Sequence, residues 1–205
     1  MATHLLFILA GYLSGSVLFA DLVGKLLRKE PFLQESEDGN PGASNAFRYG
    51  GFFCGALTLL GDILKGFLPV FLYLRWGGDM KLYPVWGALV LAAPVIGHVF
   101  PVFFGFHGGK GIAVTFGCLL GLLPAWRPFA DFALAFIALS TIVQIKPHFY
   151  RTAAAYPAAL LLMTAASDSR GLTLGFLIIT AVVLFRLHRS TEPRAPMEVS
   201  LLWKR

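Results

Sequence analysis

Seven apolar stretches follow one another along the chain with only short polar breaks, and this succession decides most of what the chain can fold into. They cover residues 3–27, 51–74, 83–104, 112–125, 129–145, 152–166 and 171–185. A helix needs about 20 apolar residues to cross the hydrocarbon core, so seven crossings take roughly 140 residues. Of 205 residues, only about 65 then remain for loops and tails, too few for a separate soluble domain. Composition agrees: 57% of residues are apolar, 14% are charged and the mean hydropathy is +0.70. A disordered chain is excluded by that hydrophobicity, and a soluble enzyme by the shortage of polar surface. The expectation is an all-α, polytopic integral membrane protein of about seven transmembrane helices, one domain over residues 1–205. The stretches 112–125 and 152–166 are short for a crossing, so five spans with this pair re-entrant is the alternative.

Charge sets the expected orientation. Lys and Arg collect on the cytoplasmic side of membrane proteins. With the N-terminus outside and seven spans, twelve of the 17 basic residues fall inside. These are Lys25, Arg28, Lys29, Arg48, Lys110, Lys146, Arg151, Arg186, Arg189, Arg194, Lys204 and Arg205. Arg75, Lys81, Arg127 and Arg170 fall outside, and Lys65 lies within the second stretch. The C-terminus is then cytoplasmic, and the polar segments 28–50, 105–111 and 186–194 share that face. The net charge of +6 thus reads as topology, not as nucleic-acid binding. Cys54 and Cys118 sit in apolar stretches without metal or disulfide spacing. No cluster has metal-ligand spacing, so no metal is expected.

Chemistry concentrates in a few segments. In Gly105–Gly111, GFHGGKG, glycines permit close backbone approach, successive N–H groups can form an anion nest, and Lys110 adds a charge beside a helix start near Ile112. A phosphate suits this loop; a plain glycine turn with Lys110 reaching to the headgroups is the alternative. In Asp38–Arg48, DGNPGASNAFR, Asn-Pro-Gly marks a turn, and Ser44 and Asn45 are N-cap candidates for a helix running into the second span. Arg48 can grip phosphate bidentately, or stand as a surface arginine. Asp62 and Lys65 share a helix face and are expected to pair with each other. His98 reads as a hydrogen-bonded core residue. His188 closes a helix beside Arg186 and Arg189, where those cations favour a neutral imidazole or contact anionic lipid.

These motifs, in this order, resemble the bacterial membrane acyl-phosphate:glycerol-3-phosphate acyltransferase family. The matching residues are Gly15-Ser16, Gly39-Asn40-Pro41-Gly42-Ala43-Ser44-Asn45 with Arg48, and Asp62-Ile63-Leu64-Lys65-Gly66. Further along are Gly97-His98 with Phe100-Pro101, Phe106 with Gly108-Gly109-Lys110-Gly111, and His188-Arg189. The resemblance spans essentially the whole chain. It implies transfer of a fatty acyl group from acyl phosphate to glycerol 3-phosphate, giving 1-acylglycerol 3-phosphate and phosphate in phospholipid synthesis, without a metal or cofactor. It implies a multi-pass protein of the bacterial cell membrane with its active site facing the cytoplasm. Lys110, His188 and Ser44 would carry catalysis. Asn40, Asn45, Arg48, Gly108, Gly109 and Gly111 would bind substrate, with Asp38 and Thr191 at substrate-binding positions. There Asp38 replaces the family's usual Ser, in Glu37-Asp38-Gly39-Asn40, and Thr191 replaces its usual Asn. Either the site has shifted, or the chain is a noncatalytic relative that binds anionic lipid precursors. A small transporter is a third reading, since broken polar spans can line a path.

Overall fold

The computed structural model describes residues 1–28, 36, 38–192 and 195–202. Glu37 of the first motif, and Lys29, Arg194, Lys204 and Arg205 of the charge distribution, lie outside the described residues.

The first apolar stretch is broken. Helix α1 (Ala2–Gly15) and helix α2 (Phe19–Leu26) meet at 46° across Ser16-Val17-Leu18. Such a break frees backbone carbonyls, which need partners when buried. Lys65 Nζ donates to Val17 O at 2.6 Å. The polar residues of this stretch face protein as well: Ser14 Oγ donates to Lys65 O at 3.0 Å, and Ser16 Oγ donates to Tyr12 O at 2.9 Å.

Helix α3 (Ala43–Gly50) is separate from helix α4 (Phe52–Arg75). The sequence reading ran one into the other; Gly51, at φ +86°, stops the first and starts the second. The capping expectation is also corrected. Gly42 is the N-cap, without a side-chain bond, so Ser44 and Asn45 stand inside the first turn. Helix α4 exposes Leu57, Leu60, Leu64 and Leu68 along one side and buries Gly61, Asp62, Lys65 and Gly66 on the other. An exposed leucine stripe opposite a buried polar face is the arrangement of a helix with lipid on its outer side.

Helix α5 (Pro84–Val99) follows a turn in which Asp79 Oδ1 accepts from the Lys81 and Leu82 amides at 2.6 and 2.8 Å. After a 3-10 turn at Val102–Phe104 and the glycine loop come helix α6 (Ile112–Leu120) and helix α7 (Arg127–Ile137). A π turn at Ala138–Ile142 extends α7. Strand β1 (Ile145–Lys146), helix α8 (His148–Ala166), helix α9 (Arg170–His188) and strand β2 (Glu198–Val199) complete the described chain. β1 and β2 pair antiparallel, Ile145 with Val199 and Lys146 with Glu198. This two-residue ladder departs from the all-α expectation, and it ties the C-terminal tail to the α7–α8 connection.

The core lies where α5, α6, α7, α8 and α9 meet. Phe132 packs on Phe116, Tyr156 and Phe176 with ring centroids 4.5, 4.9 and 5.6 Å apart. Close helix crossings need small residues in membranes. A Cβ at Gly117 would overlap the Ile63 carbonyl oxygen, and one at Gly66 the Val114 carbonyl oxygen, so these two glycines set the α4–α6 approach.

Among the described residues, α4, the Pro84–Phe104 segment and α9 are long and apolar enough to cross a membrane, and the bent α1–α2 pair makes a fourth. The expected count of seven is not reached on length and composition. Helix α6 has 9 residues and is about 13 Å long at 1.5 Å per residue, well short of the 30 Å hydrocarbon core. Helix α8 begins earlier than the sequence indicated, at His148, and reaches 19 residues.

Candidate active site

The turn before α3, the glycine loop before α6 and the tail after α9 come together at one end of the bundle. They border a cavity of about 620 Å³, within the range of small-molecule sites.

Lys110 sits between two carboxylates. Its Nζ donates to Asp38 Oδ2 at 3.0 Å and to Glu192 Oε2. Asn45 Nδ2 holds Asp38 Oδ1 at 2.8 Å and Asn40 O at 3.0 Å, and the Asn40 amide reaches Asp38 Oδ1 at 3.1 Å. Burial raises the Asp38 carboxyl, but the bonds from Asn45 and Lys110, with the lysine's charge, outweigh it. Its pKa is lowered from the ordinary value, so it is a carboxylate at neutral pH. Ser44 and Arg48 lie four residues apart on α3 and border the same cavity; Arg48 also stacks over Tyr49 at 5.4 Å.

Part of the glycine loop's backbone is bonded to protein. The Gly109 amide is committed to His98 O at 3.1 Å, and Gly108 O accepts from Arg186 Nε and Nη2 at 3.1 and 2.9 Å. A Cβ on Gly108 would overlap the His98 carbonyl oxygen, and one on Gly109 the His98 ring. These two glycines are buried against the end of α5, and neither borders the cavity. Their smallness lets the loop pack against the end of α5. Gly111, left-handed at φ +81°, is the N-cap of α6 and does border the cavity with Ile112 and Ala113. The positive end of that helix therefore faces the space.

Beneath the loop lies a buried polar cluster. Lys65 Nζ stands 2.7 Å from Asp62 Oδ1, a contact ion pair whose alignment falls short of a hydrogen bond. Lys65 also donates to His98 Nδ1 at 2.8 Å. The expected Asp62–Lys65 pairing and buried His98 are thus present. The sequence reading missed that Asp62 and His98 also border the cavity, joining the broken first helix, α4, α5 and the glycine loop.

His188 and Thr191 stand apart from the residues that line the cavity. His188 is the exposed last residue of α9, and neither residue is among the described cavity-lining side chains. Glu192, which follows them in the chain, does line the cavity. Sequence gave no signal for it, because its partner Lys110 is 82 residues away. Phe116, Phe136 and Leu59 form an apolar wall. A second cavity of about 500 Å³ lies among Arg75, Lys81, Arg127 and Met163, apart from every predicted site residue.

The family described as "Glycerol-3-phosphate acyltransferase" matches residues 5–195. A glycerol-3-phosphate acyltransferase of Cupriavidus taiwanensis is 47% identical over 121 residues, 59% of each chain. The Shewanella halifaxensis protein of the same description is 42% identical over 155 residues, covering 75% of this chain and 71% of that one. The aligned stretch thus spans about three fifths of the Cupriavidus relative's length. The crystal structure of PlsY, described as an integral membrane glycerol 3-phosphate acyltransferase, superposes in its glycerol 3-phosphate form with a TM-score of 0.76 at 29% identity. That match covers 91% of this chain and 88% of PlsY. Its lysophosphatidic acid form gives 0.72 at 28% identity over 89% and 87%. With matches at the level of sequence, fold and nearly the full chain, this protein belongs to the glycerol-3-phosphate acyltransferase family.

Proposed function

We propose that the chain transfers a fatty acyl group from acyl phosphate to glycerol 3-phosphate, yielding 1-acylglycerol 3-phosphate and inorganic phosphate for phospholipid synthesis. The observation that carries this reading is the convergence of Lys110, Arg48 and the α6 N-terminus on one cavity with an apolar wall. That pairing of cationic and apolar surface suits two phosphates and an acyl chain. The family membership and the PlsY forms with glycerol 3-phosphate and lysophosphatidic acid support it.

An acyl phosphate is already activated, so no strong protein nucleophile is needed. The protein's task is to bring two anions together and stabilise charge as the carbonyl is attacked. In this reading Arg48 grips the glycerol phosphate, Lys110 and the α6 terminus hold the donor phosphate, and Ser44, Asn40 and Asn45 orient the substrates. Gly108 and Gly109 act by fixing the Lys110 loop. His188 and Thr191, outside the cavity lining, are read as acting from the acyl-phosphate side. Phe116 and Phe136 take the start of the acyl chain.

We read the chain as a multi-pass protein of a bacterial cell membrane, with the N-terminus outside and the cavity facing the cytoplasm. The clustering of Arg48, Lys110, Arg186 and Arg189 at the cavity end supports this orientation. The functional test is detergent-purified protein supplied with glycerol 3-phosphate and either palmitoyl phosphate or palmitoyl-CoA. The reading predicts lysophosphatidate from the acyl phosphate alone; product from the CoA ester alone would refute the donor assignment.

A further inference from the structure

The second cavity, of about 500 Å³, lies at the end of the bundle opposite the active-site cavity. The turn at 76–82, the α6–α7 connection, the end of α8 and the start of α9 enclose it. Its floor is apolar: Leu122, Met163 and Leu172 are buried there, with Leu74 and Leu123 beside them. Its rim is charged. The exposed Arg75, Lys81 and Arg127 border it together with Asp79 and Asp131, three cations against two carboxylates.

Both carboxylates have partners in the protein. Asp79 Oδ1 accepts from the Lys81 and Leu82 amides, and Asp131 Oδ2 lies 3.8 Å from Arg127 Nε. Among the described residues, Arg75 and Lys81 form no ion pair; Arg75 lies over the Phe71 ring at 4.8 Å. Ser169, the N-cap of the 19-residue helix α9, also borders the cavity. The positive end of that helix therefore adds to the cationic rim. Tryptophans mark the depth, because they settle at the headgroup level of a membrane. Trp76 and Trp126 are each 66% exposed, and they adjoin Arg75 and Arg127 in the chain. The cationic rim thus lies at headgroup depth, and the apolar floor lies deeper, at the level of acyl chains. A soluble anion would leave the floor empty, and a neutral lipid would leave the rim unmatched.

We propose that this cavity binds an anionic phospholipid of the membrane leaflet at that end, with its phosphodiester between Arg75, Lys81 and Arg127 and one acyl chain against Leu122, Met163 and Leu172. A single phosphodiester matches the one net positive charge of the rim. The lining comes from α4, α7, α8, α9 and the turn after α6, so one lipid molecule joins segments that are distant in sequence. Lipid bound there stabilises the folded bundle by mass action. No residue lines both cavities, so this lipid stands apart from acyl transfer.

Native mass spectrometry of the full chain in detergent tests this, with phosphatidylglycerol and phosphatidylcholine of matched acyl chains supplied in equal amounts. The wild type is expected to retain phosphatidylglycerol about tenfold more than phosphatidylcholine. Arg75→Gln, Lys81→Gln and Arg127→Gln combined should bring the two lipids within about twofold of each other. Ala166→Phe, which fills the cavity and leaves every charge in place, should lower phosphatidylglycerol retention about tenfold. A Tm in detergent alone close to that of the wild type shows that each variant is folded. Equal retention of the two lipids by the wild type, an unchanged preference in the triple variant, or full retention in Ala166→Phe overturns the assignment. The wild-type ratio needs no variant, so it decides by itself if either variant fails to fold.

Discussion

Asp38 and Glu192 make the site of this chain unusual at the level of single residues. Two carboxylates share Lys110, so an incoming phosphate meets a cation already partly neutralised. Their roles separate by partner: Asp38 is saturated by Asn45, Asn40 and Lys110, whereas Glu192 keeps one oxygen unbonded. Replacing Asp38 by Ser, the residue usual in the family, removes the charge nearest an arriving anion. KM for glycerol 3-phosphate should fall about three- to fivefold, read from initial rates; an unchanged or raised KM would show that Asp38 does not oppose binding. Asp38 also makes an acid-stability prediction. Its pKa is lowered in the folded state, so its contribution is full above the unfolded value of 3.8 and is lost as pH falls through the lower folded value. Asp38→Asn should therefore flatten the fall of thermal stability below about pH 4, measured as Tm against pH. Persistence of the full acid limb would contradict that. Residue identity alone showed Lys110, Arg48 and Asn45 as candidates because charge and loop chemistry are local. It could not show Glu192 or the loop-locking Arg186, whose partners lie far away in sequence.

The elements explain why a site can be built at all from so few polar groups. The break between α1 and α2, the Asp62–Lys65 pair and His98 form one buried joint, and the glycine loop rests on it through His98 O and Gly109 N. Removing one member leaves an uncompensated charge. Lys65→Met should destabilise the detergent-solubilised protein by about 3–5 kcal/mol, while Lys65→Met with Asp62→Leu should recover much of the loss. Unfolding monitored by intrinsic fluorescence checks this, and a double variant as unstable as the single would show that the pair is not the joint. Long, periodic apolar stretches such as α4, α5 and α9 were legible in the sequence, because length and hydropathy alone specify them. The short elements were not. Residues 112–125 gave a 9-residue helix and a turn, since Gly121 and Pro124 end it and the neighbours cover what it leaves. The Gly66–Gly117 crossing shows the same limit: glycines look like breakers in sequence, yet here they bring two helices into contact.

At the scale of the whole molecule, basic residues and chemistry share one end. The turn at 38–48, the loop at 105–111 and the tail at 186–192 converge there, as the topology required, and the opposite end carries Arg75, Lys81, Arg127 and the exposed Trp76 and Trp126. A cysteine introduced at Ser190 should react with an impermeant maleimide only in inverted vesicles, and one at Gly77 only in intact cells. The two native cysteines are buried and should stay unlabelled. Reaction of both sites from the same side would contradict the proposed orientation. The central claim is that this end of the bundle joins an acyl phosphate to glycerol 3-phosphate through Lys110. Its most direct test is simultaneous measurement of lysophosphatidate and phosphate from purified wild-type protein and Lys110→Ala. The account predicts one phosphate per lysophosphatidate in the wild type and a loss of at least about 100-fold in both products in the variant. Phosphate release without lysophosphatidate, or full activity in Lys110→Ala, would contradict it.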